Sequence, residues 1–146
     1  MTKVKSTAEL LNRVKEILQE IPSVIPYVKF AFWEDQLFKK PVSNSILIEP
    51  LGESISPNGI SLAHPLKETK GFIIHYLFKS MTPDLHMIPF VEKKDEIINK
   101  LLDERMIGIE GLFLNYSIQT EHYKFTTDEV GEEIWVVKII FRGQYR

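Results

Sequence analysis

Cysteine is absent from this sequence of 146 residues, which excludes disulfide bonds, a thiolate nucleophile and any metal site built on cysteine. Long apolar runs are absent as well, since no window reaches about 18 uncharged apolar residues, the length that a membrane-spanning helix needs. The first residues carry charges and no apolar segment, so no signal peptide is predicted. These absences favour a soluble protein of a reducing, intracellular compartment.

An excess of basic residues is also missing. The formal net charge is -2 and the isoelectric point lies near 6.1, whereas a surface that binds nucleic acid requires a basic stripe. We therefore expect no sequence-specific nucleic-acid partner. Hydrophobic residues make up 44% and charged residues 26%, which is ordinary for a globular protein. A chain of this length suffices for one domain, spanning 1–146, with a core of its own.

Proline is absent between Phe90 and Arg146, and this uninterrupted region carries the clearest strand pattern. From 112 to 120 the even-numbered positions are mainly apolar and the odd-numbered positions mainly polar, which predicts a strand over 112–125. A second apolar run covers 134–142, after an acidic interval that contains a glycine. Two long strands joined by a short turn favour an antiparallel hairpin, and we expect the rest of the chain to pack on it.

Two helices are predicted from apolar residues at helical spacing. Ser6 and Glu9 have the spacing of a capping box, and the stripe that follows them fits a helix over 6–20, which Pro22 ends. The residues of that stripe are Leu10, Leu11, Val14, Ile17, Leu18 and Ile21. A second helix is predicted over 90–105, after a connector over 81–89 that contains two prolines.

Three further strands are predicted over 27–33, 46–51 and 71–78. The last of them is apolar on both parities apart from His75, which is typical of a central strand covered on both faces. Between residues 52 and 70 the periodicity fades, and we expect a mobile loop that carries a small hairpin, with a short strand at 60–63. The elements together predict an α+β fold, in which a mainly antiparallel sheet of about five strands packs against two helices.

No motif for catalysis is present. The four histidines form no H-x-x-x-H or H-x-H pair, and the sequence lacks G-x-S-x-G and the glycine-rich phosphate loops. His75 is predicted to be a hydrogen-bonded core residue. Neighbouring strand residues point to opposite faces, so His122 beside Glu121 is predicted to be a sheet-surface residue and no acid–base partner. We therefore predict no catalytic residue, no cofactor and no metal ion, and a function other than catalysis.

The order of the elements resembles that of the tail terminator proteins of long-tailed bacteriophages. It runs from a helix capped near residue 6 through a strand pair, a long loop, a central strand at 71–79 and a helix at 90–105 to the closing hairpin. Tail terminators are small α+β proteins that form a hexameric ring, cap the tail tube and join it to the head. The resemblance implies a structural virion protein of the tail or neck, assembled in the host cytoplasm as a homohexameric ring. Its partners would be tail-tube and neck or connector proteins, and related tail-completion proteins have a similar layout.

A ring of identical subunits needs two complementary surfaces on each subunit. We predict that opposite charges set the register of the contact, while apolar contacts supply most of the free energy. The acidic residues are Asp128, Glu129, Glu132 and Glu133, and the basic residues are Lys39, Lys40, Lys93, Lys94 and Arg142. Two other functions stay open: an adaptor domain that binds a partner along a sheet edge, and a small ligand-binding α+β domain with an apolar pocket.

Overall fold

The computed structural model describes residues 5–21, 27–32, 43–57, 66–80, 82–103, 113–126 and 133–145, which form two helices and a six-stranded sheet. In chain order the elements are α1 (Thr7–Gln19), β1 (Tyr27–Phe30), β2 (Ser45–Pro50), β3 (Ser54–Pro57), β4 (Leu66–Ser80), α2 (Pro83–Leu102), β5 (Phe113–Thr126) and β6 (Glu133–Tyr145). The predicted α+β class is confirmed.

Strands β4 and β6 form the centre of the sheet. The strand order is β1-β2-β4-β6-β5, with β3 paired to the first part of β4. Of the pairs within the described residues, β1 with β2 is parallel and the others are antiparallel. The predicted C-terminal hairpin is confirmed, and it reaches from the centre of the sheet, at β6, to one edge, at β5.

Helix α1 covers one face of the sheet with the predicted apolar stripe. Ser6 is its N-cap, since the Ser6 hydroxyl oxygen accepts a hydrogen bond of 3.1 Å from the backbone N–H of Glu9, and Glu20 is its C-cap. Leu10, Val14 and Leu18 are buried against the sheet, in a cluster that also contains Phe90, Ile97 and Leu101 of α2. The predicted bounds and buried face of this helix are therefore confirmed.

The other face of the sheet is buried at its centre. Leu47, Leu77, Ile134 and Val136 form a second cluster there, with Val136 fully buried. The strand predicted over 71–78 is thus covered on both faces, as expected, and it extends in both directions to Leu66–Ser80.

Helix α2 begins at Pro83, so the predicted connector over 81–89 and the predicted start at Phe90 are wrong. Pro83 lies at the beginning of the helix, where proline is favourable because its missing N–H is not needed there. Pro89 lies inside the helix and cannot donate to the carbonyl of Leu85. Leu85 is the most exposed large apolar residue among those that the structure describes, so water can satisfy that carbonyl, and the helix continues through Pro89.

Strand β5 carries a register shift that the alternating pattern did not reveal. The pairing with β6 shifts between Phe113 and Asn115, which is a β-bulge. One extra residue reverses the alternation of faces, so Phe113 is buried on the helix side and stands edge-to-face to Phe141 at 5.1 Å. The prediction that Phe113 shares the polar face of the strand is therefore wrong.

The segment predicted as a mobile loop over 52–70 contains paired strands. Ser54–Pro57 pairs antiparallel with Leu66–Thr69, so the loop prediction is wrong for these residues, and their partner strand is 66–69 instead of the predicted 60–63. Backbone pairing with β4 gives Ser54–Pro57 a strand conformation, although the apolar pattern of the segment is weak. The short strand predicted at 60–63 lies outside the described residues.

Candidate protein interface

A groove runs between the first half of α2 and the part of the β5–β6 hairpin where the end of β5 pairs with the start of β6. We call it the α2–β5 groove. Its volume is about 470 Å³. The residues that line it are Pro83, Met87, Phe90, Val91, His122, Tyr123, Lys124, Glu133 and Trp135. Residues of three separate elements therefore meet here, and most of the side chains from α2 are apolar.

Aromatic packing fixes the base of this groove. The rings of Phe90 and Trp135 lie edge-to-face with centroids 5.5 Å apart, and the ring of His122 lies edge-to-face to Phe90 at 6.1 Å. Phe90 also packs on Tyr76 of the central strand, at 5.7 Å. Edge-to-face rings stabilise one another beyond the area they bury, so the base of the groove is a rigid apolar surface.

One charged residue is held at the rim of the groove. The Glu133 carboxylate accepts hydrogen bonds from Trp135 Nε1 at 2.9 Å and from Lys124 Nζ at 3.2 Å. Both bonds lower the pKa of the Glu133 carboxyl, and the bond from Trp135 has the larger effect. Glu133 therefore stays ionised and directed towards the aromatic base.

Next to the groove, the first turns of α2 carry large apolar side chains in water. Leu85 is 69% exposed, Ile88 is 64% exposed and Met87 is 48% exposed. The helix start is held in place by His86, whose Nδ1 lies 2.9 Å from the hydroxyl oxygen of Ser80. The exposed side chains are thus presented by an anchored helix.

Strand β5 forms one edge of the sheet, along the open side of this groove. Within the described residues it pairs only with β6. The side chains of Ser117, Gln119, Thr120, Glu121 and His122 along it are exposed. His122 is thus a sheet-surface residue, as predicted, and it contributes to the groove.

The opposite edge of the sheet, at β1, exposes two aromatic residues. Phe30 is 44% exposed and Phe32 is 58% exposed. The Lys15 ammonium of α1 lies 4.8 Å from the centre of the Phe30 ring, a cation–π contact that places this ring on the helix side of the sheet. We call the segment from Val28 to Phe32 the β1 edge.

Of the charged residues that were predicted to form an interface and that the structure describes, Glu133 lies in the groove. Lys93 and Lys94 lie on α2 in ion pairs of 2.5 Å with Glu96 and 2.8 Å with Asp95, and Arg142 is exposed on β6. The others lie outside the described residues: Asp128, Glu129, Glu132, Lys39 and Lys40. Among the described members of the two charge groups, Glu133 bonds to Lys124 of β5, while Lys93 and Lys94 pair with acidic residues of their own helix.

Sequence reasoning missed the apolar part of this interface. Leu85, Met87 and Ile88 fell in the predicted connector, and Phe30 and Phe32 were assigned to a strand without regard to its position in the sheet. Pro83 was an available signal for a helix start, because proline favours the first helical position.

Among the described residues, no group of three or more histidine, aspartate or glutamate side chains is placed to hold a metal ion. Neither of the two described helices has the length and apolar character to cross a membrane.

A scan against known protein families finds no matching family, and a search of curated proteins finds no match. The interpretation of the groove and of the β1 edge therefore depends on their geometry.

Proposed function

We propose that this protein is a structural subunit that assembles head to tail with copies of itself into a ring, as do the tail terminators that its element order resembles. One observation carries the proposal: the subunit has two separate apolar surfaces at opposite edges of one sheet. The first surface is the α2–β5 groove with the exposed Met87, and the second is the β1 edge.

Clustered apolar exposure supports assembly better than scattered exposure does. Single apolar residues on a surface are ordinary, whereas adjacent ones mark interaction sites. Leu85, Met87 and Ile88 are exposed within four consecutive positions of one helix, and Met87 lines the aromatic groove. A contact between two different surfaces leads from one copy to the next and closes when the rotation allows it.

In this proposal the ring is a virion component of the tail or neck. The resemblance suggests that the ring closes as a hexamer. It also suggests the partners, which are tail-tube proteins and neck or connector proteins. The subunit acts by occupying a position in the assembly, with no catalytic step and no cofactor.

The mass of the assembly tests the proposal. Native mass spectrometry and light scattering over a concentration series should give one closed oligomer, and Met87→Glu should shift the series towards monomer because it places a charge in the apolar groove. Ile55→Glu is the matched control, since Ile55 is 43% exposed on β3, away from both surfaces. A wild-type protein that stays monomeric at every concentration, with and without tail-tube protein, would contradict assembly.

The virion role has a separate test. We expect genes for capsid and tail proteins on both sides of this gene. An oligomer encoded among unrelated genes would leave assembly standing and remove the role in the tail.

A second candidate function is an adaptor that binds an extended segment of another protein. The observation that favours it is the position of the groove directly beside edge strand β5, since an added strand would place side chains in the groove. A monomer that captures such a segment through β5, and never assembles, is the outcome that would select this function.

A further inference from the structure

We infer that the β1 edge of one copy pairs antiparallel with strand β5 of the next copy and seats Phe30 at the α2–β5 groove. This inference rests on the proposed function and names the contact through which the copies assemble. It is carried by the exposure, the sidedness and the direction of the two edge strands.

Within the part of the chain that the structure describes, both strands have an unpaired edge. Within the described residues β1 pairs only with β2, and β5 pairs only with β6. Phe30 and Phe32 are exposed at one edge, and the side chains from Gln119 to His122 are exposed at the other. The outward backbone N–H and C=O groups of an edge strand are a template for another strand.

The two surfaces lie on the same side of the sheet. Val28 belongs to the core cluster beneath the helices, and Phe30 has the same parity, which agrees with its contact to Lys15 of α1. At the other edge, His122 reaches Phe90 of α2 and is therefore on the helix side. A continuous sheet across the two copies thus brings the exposed rings of one copy against the groove of the next.

The strand directions also match. β1 is parallel to β2, and the sheet then alternates through β4 and β6 to β5, so β1 and β5 run in opposite directions. A neighbouring copy related by rotation about an axis along the strands keeps its strand directions and its helix side. Its β5 therefore meets β1 as an antiparallel strand, with no rearrangement of either chain.

One register places the apolar side chains well. With Phe30 opposite His122, Ala31 lies opposite Glu121 and Phe32 lies opposite Thr120. Phe30 then lies beside the exposed Met87 at the mouth of the groove. On the other side of the sheet, the exposed Lys29 and Glu121 are diagonal neighbours of opposite charge.

Disulfide trapping tests this contact, because the chain contains no cysteine of its own. An oxidised mixture of Ala31→Cys and Glu121→Cys should give a covalent dimer, since opposed residues of an antiparallel pair bring Cβ atoms to about 4.5–5.5 Å, near the disulfide range. The control mixture of Ala31→Cys and Thr120→Cys should not, because Thr120 points to the helix side. Neither variant alone should form the same dimer.

A second measurement does not depend on covalent trapping. Phe30→Ser should weaken association by roughly thirtyfold, as expected for an aromatic anchor. Ile55→Ser, at a site of similar exposure on β3, should leave association unchanged.

The outcomes separate this contact from the proposed function. An oligomer that forms the Ala31–Glu121 cross-link and is weakened by Phe30→Ser supports both. An oligomer without that cross-link, or one that cross-links equally through the Thr120 control, overturns the contact and leaves assembly standing. A monomer at all concentrations that also fails to cross-link overturns both, and a monomer that cross-links supports the contact and overturns the ring.

Discussion

His75 Nε2 lies 2.6 Å from Oε1 of Glu49 on the neighbouring strand, and His75 itself is 1% exposed. Burial lowers the pKa of His75, the hydrogen bond to Glu49 raises it in part, and the charge of Lys138 lowers it further. Lys138 is the residue paired with His75 across β4 and β6. The predicted hydrogen-bonded core histidine is thus confirmed, and the structure identifies Glu49 as the carboxylate that accepts from it.

Folding stability should fall as the pH decreases below about 6.5, the ordinary pKa of histidine. The unfolded chain then binds a proton that the folded protein, with its lowered His75 pKa, still excludes. The free energy of unfolding keeps its full value above pH 6.5. As the pH falls from 6.5 towards the pKa of His75 in the folded protein, it decreases by at most about 1.4 kcal/mol per pH unit for one group. Urea unfolding between pH 7.5 and 5 measures this slope.

His75→Gln should flatten that pH dependence, although it lowers stability at neutral pH because the shape of the site changes. His122→Gln is the matched control, since His122 is an exposed histidine on the same sheet. An unchanged slope in the His75 variant would show that another group causes the acid sensitivity.

Lys70→Met should destabilise the fold by about 3–5 kcal/mol, because it removes one partner of a buried ionic cluster. The Lys70 ammonium is fully buried, lies 3.1 Å from Glu53 Oε1 and 3.8 Å from Glu68 Oε1, and donates to the Thr7 hydroxyl at 2.8 Å. Without it, the buried Glu68 carboxylate loses the ammonium that balances its charge and keeps a hydrogen bond of 2.8 Å from the backbone N–H of Lys5.

Chemical denaturation of Lys70→Met and of the double variant with Glu68→Gln measures this effect. The double variant should recover part of the loss, since it removes the buried charge that Lys70 had balanced. Lys67→Met is the control on the same strand, because Lys67 is exposed. Equal stability of the two lysine variants would contradict a structural role of the cluster.

Gly71→Ala should be strongly destabilising, by roughly 3 kcal/mol or more. A Cβ atom at Gly71 would stand 2.1 Å from the backbone oxygen of Phe141 on the adjacent central strand, so the sheet itself would have to move. Gly52→Ala is the matched control, because a Cβ atom there meets nothing within 4 Å. Thermal unfolding of the two variants should differ clearly, and similar melting temperatures would mean that β4 and β6 separate more easily than their pairing indicates.

Val14→Asp should cost about 3–5 kcal/mol, since it buries a carboxylate without a partner. Val14 is fully buried beneath α1. Asn12→Asp on the exposed side of the same helix is the control. A melting temperature that Val14→Asp leaves unchanged would place this side of α1 in solvent and contradict the packing of the helix on the sheet.

Local patterns in the sequence determined the elements whose stability depends on near neighbours. Ser6, the apolar stripe from Leu10 to Ile21 and Pro22 specify α1, because a cap and a period of 3.6 residues act within a few turns. The alternating pattern specified the C-terminal hairpin, and the apolar run from Gly71 to Phe78 indicated a central strand. His75 was predicted to be buried because a strand that is apolar on both parities has no exposed face.

Only the tertiary structure decided which strands lie at the edges of the sheet. The candidate interface lies at these edges, so its location depends on the tertiary structure. The segment that contains Phe30 and Phe32 has an apolar composition typical of a core strand. The two rings are exposed because β1 lies at the edge of the sheet. The groove joins Phe90 with Trp135, and the buried cluster joins Thr7 with Lys70, through contacts that no short window of sequence contains. The bulge before Asn115 turns Phe113 to the core because a single extra residue reverses a period of two. Periodicity is a local property of the chain, whereas pairing partners and register are settled by the free energy of packing the whole sheet.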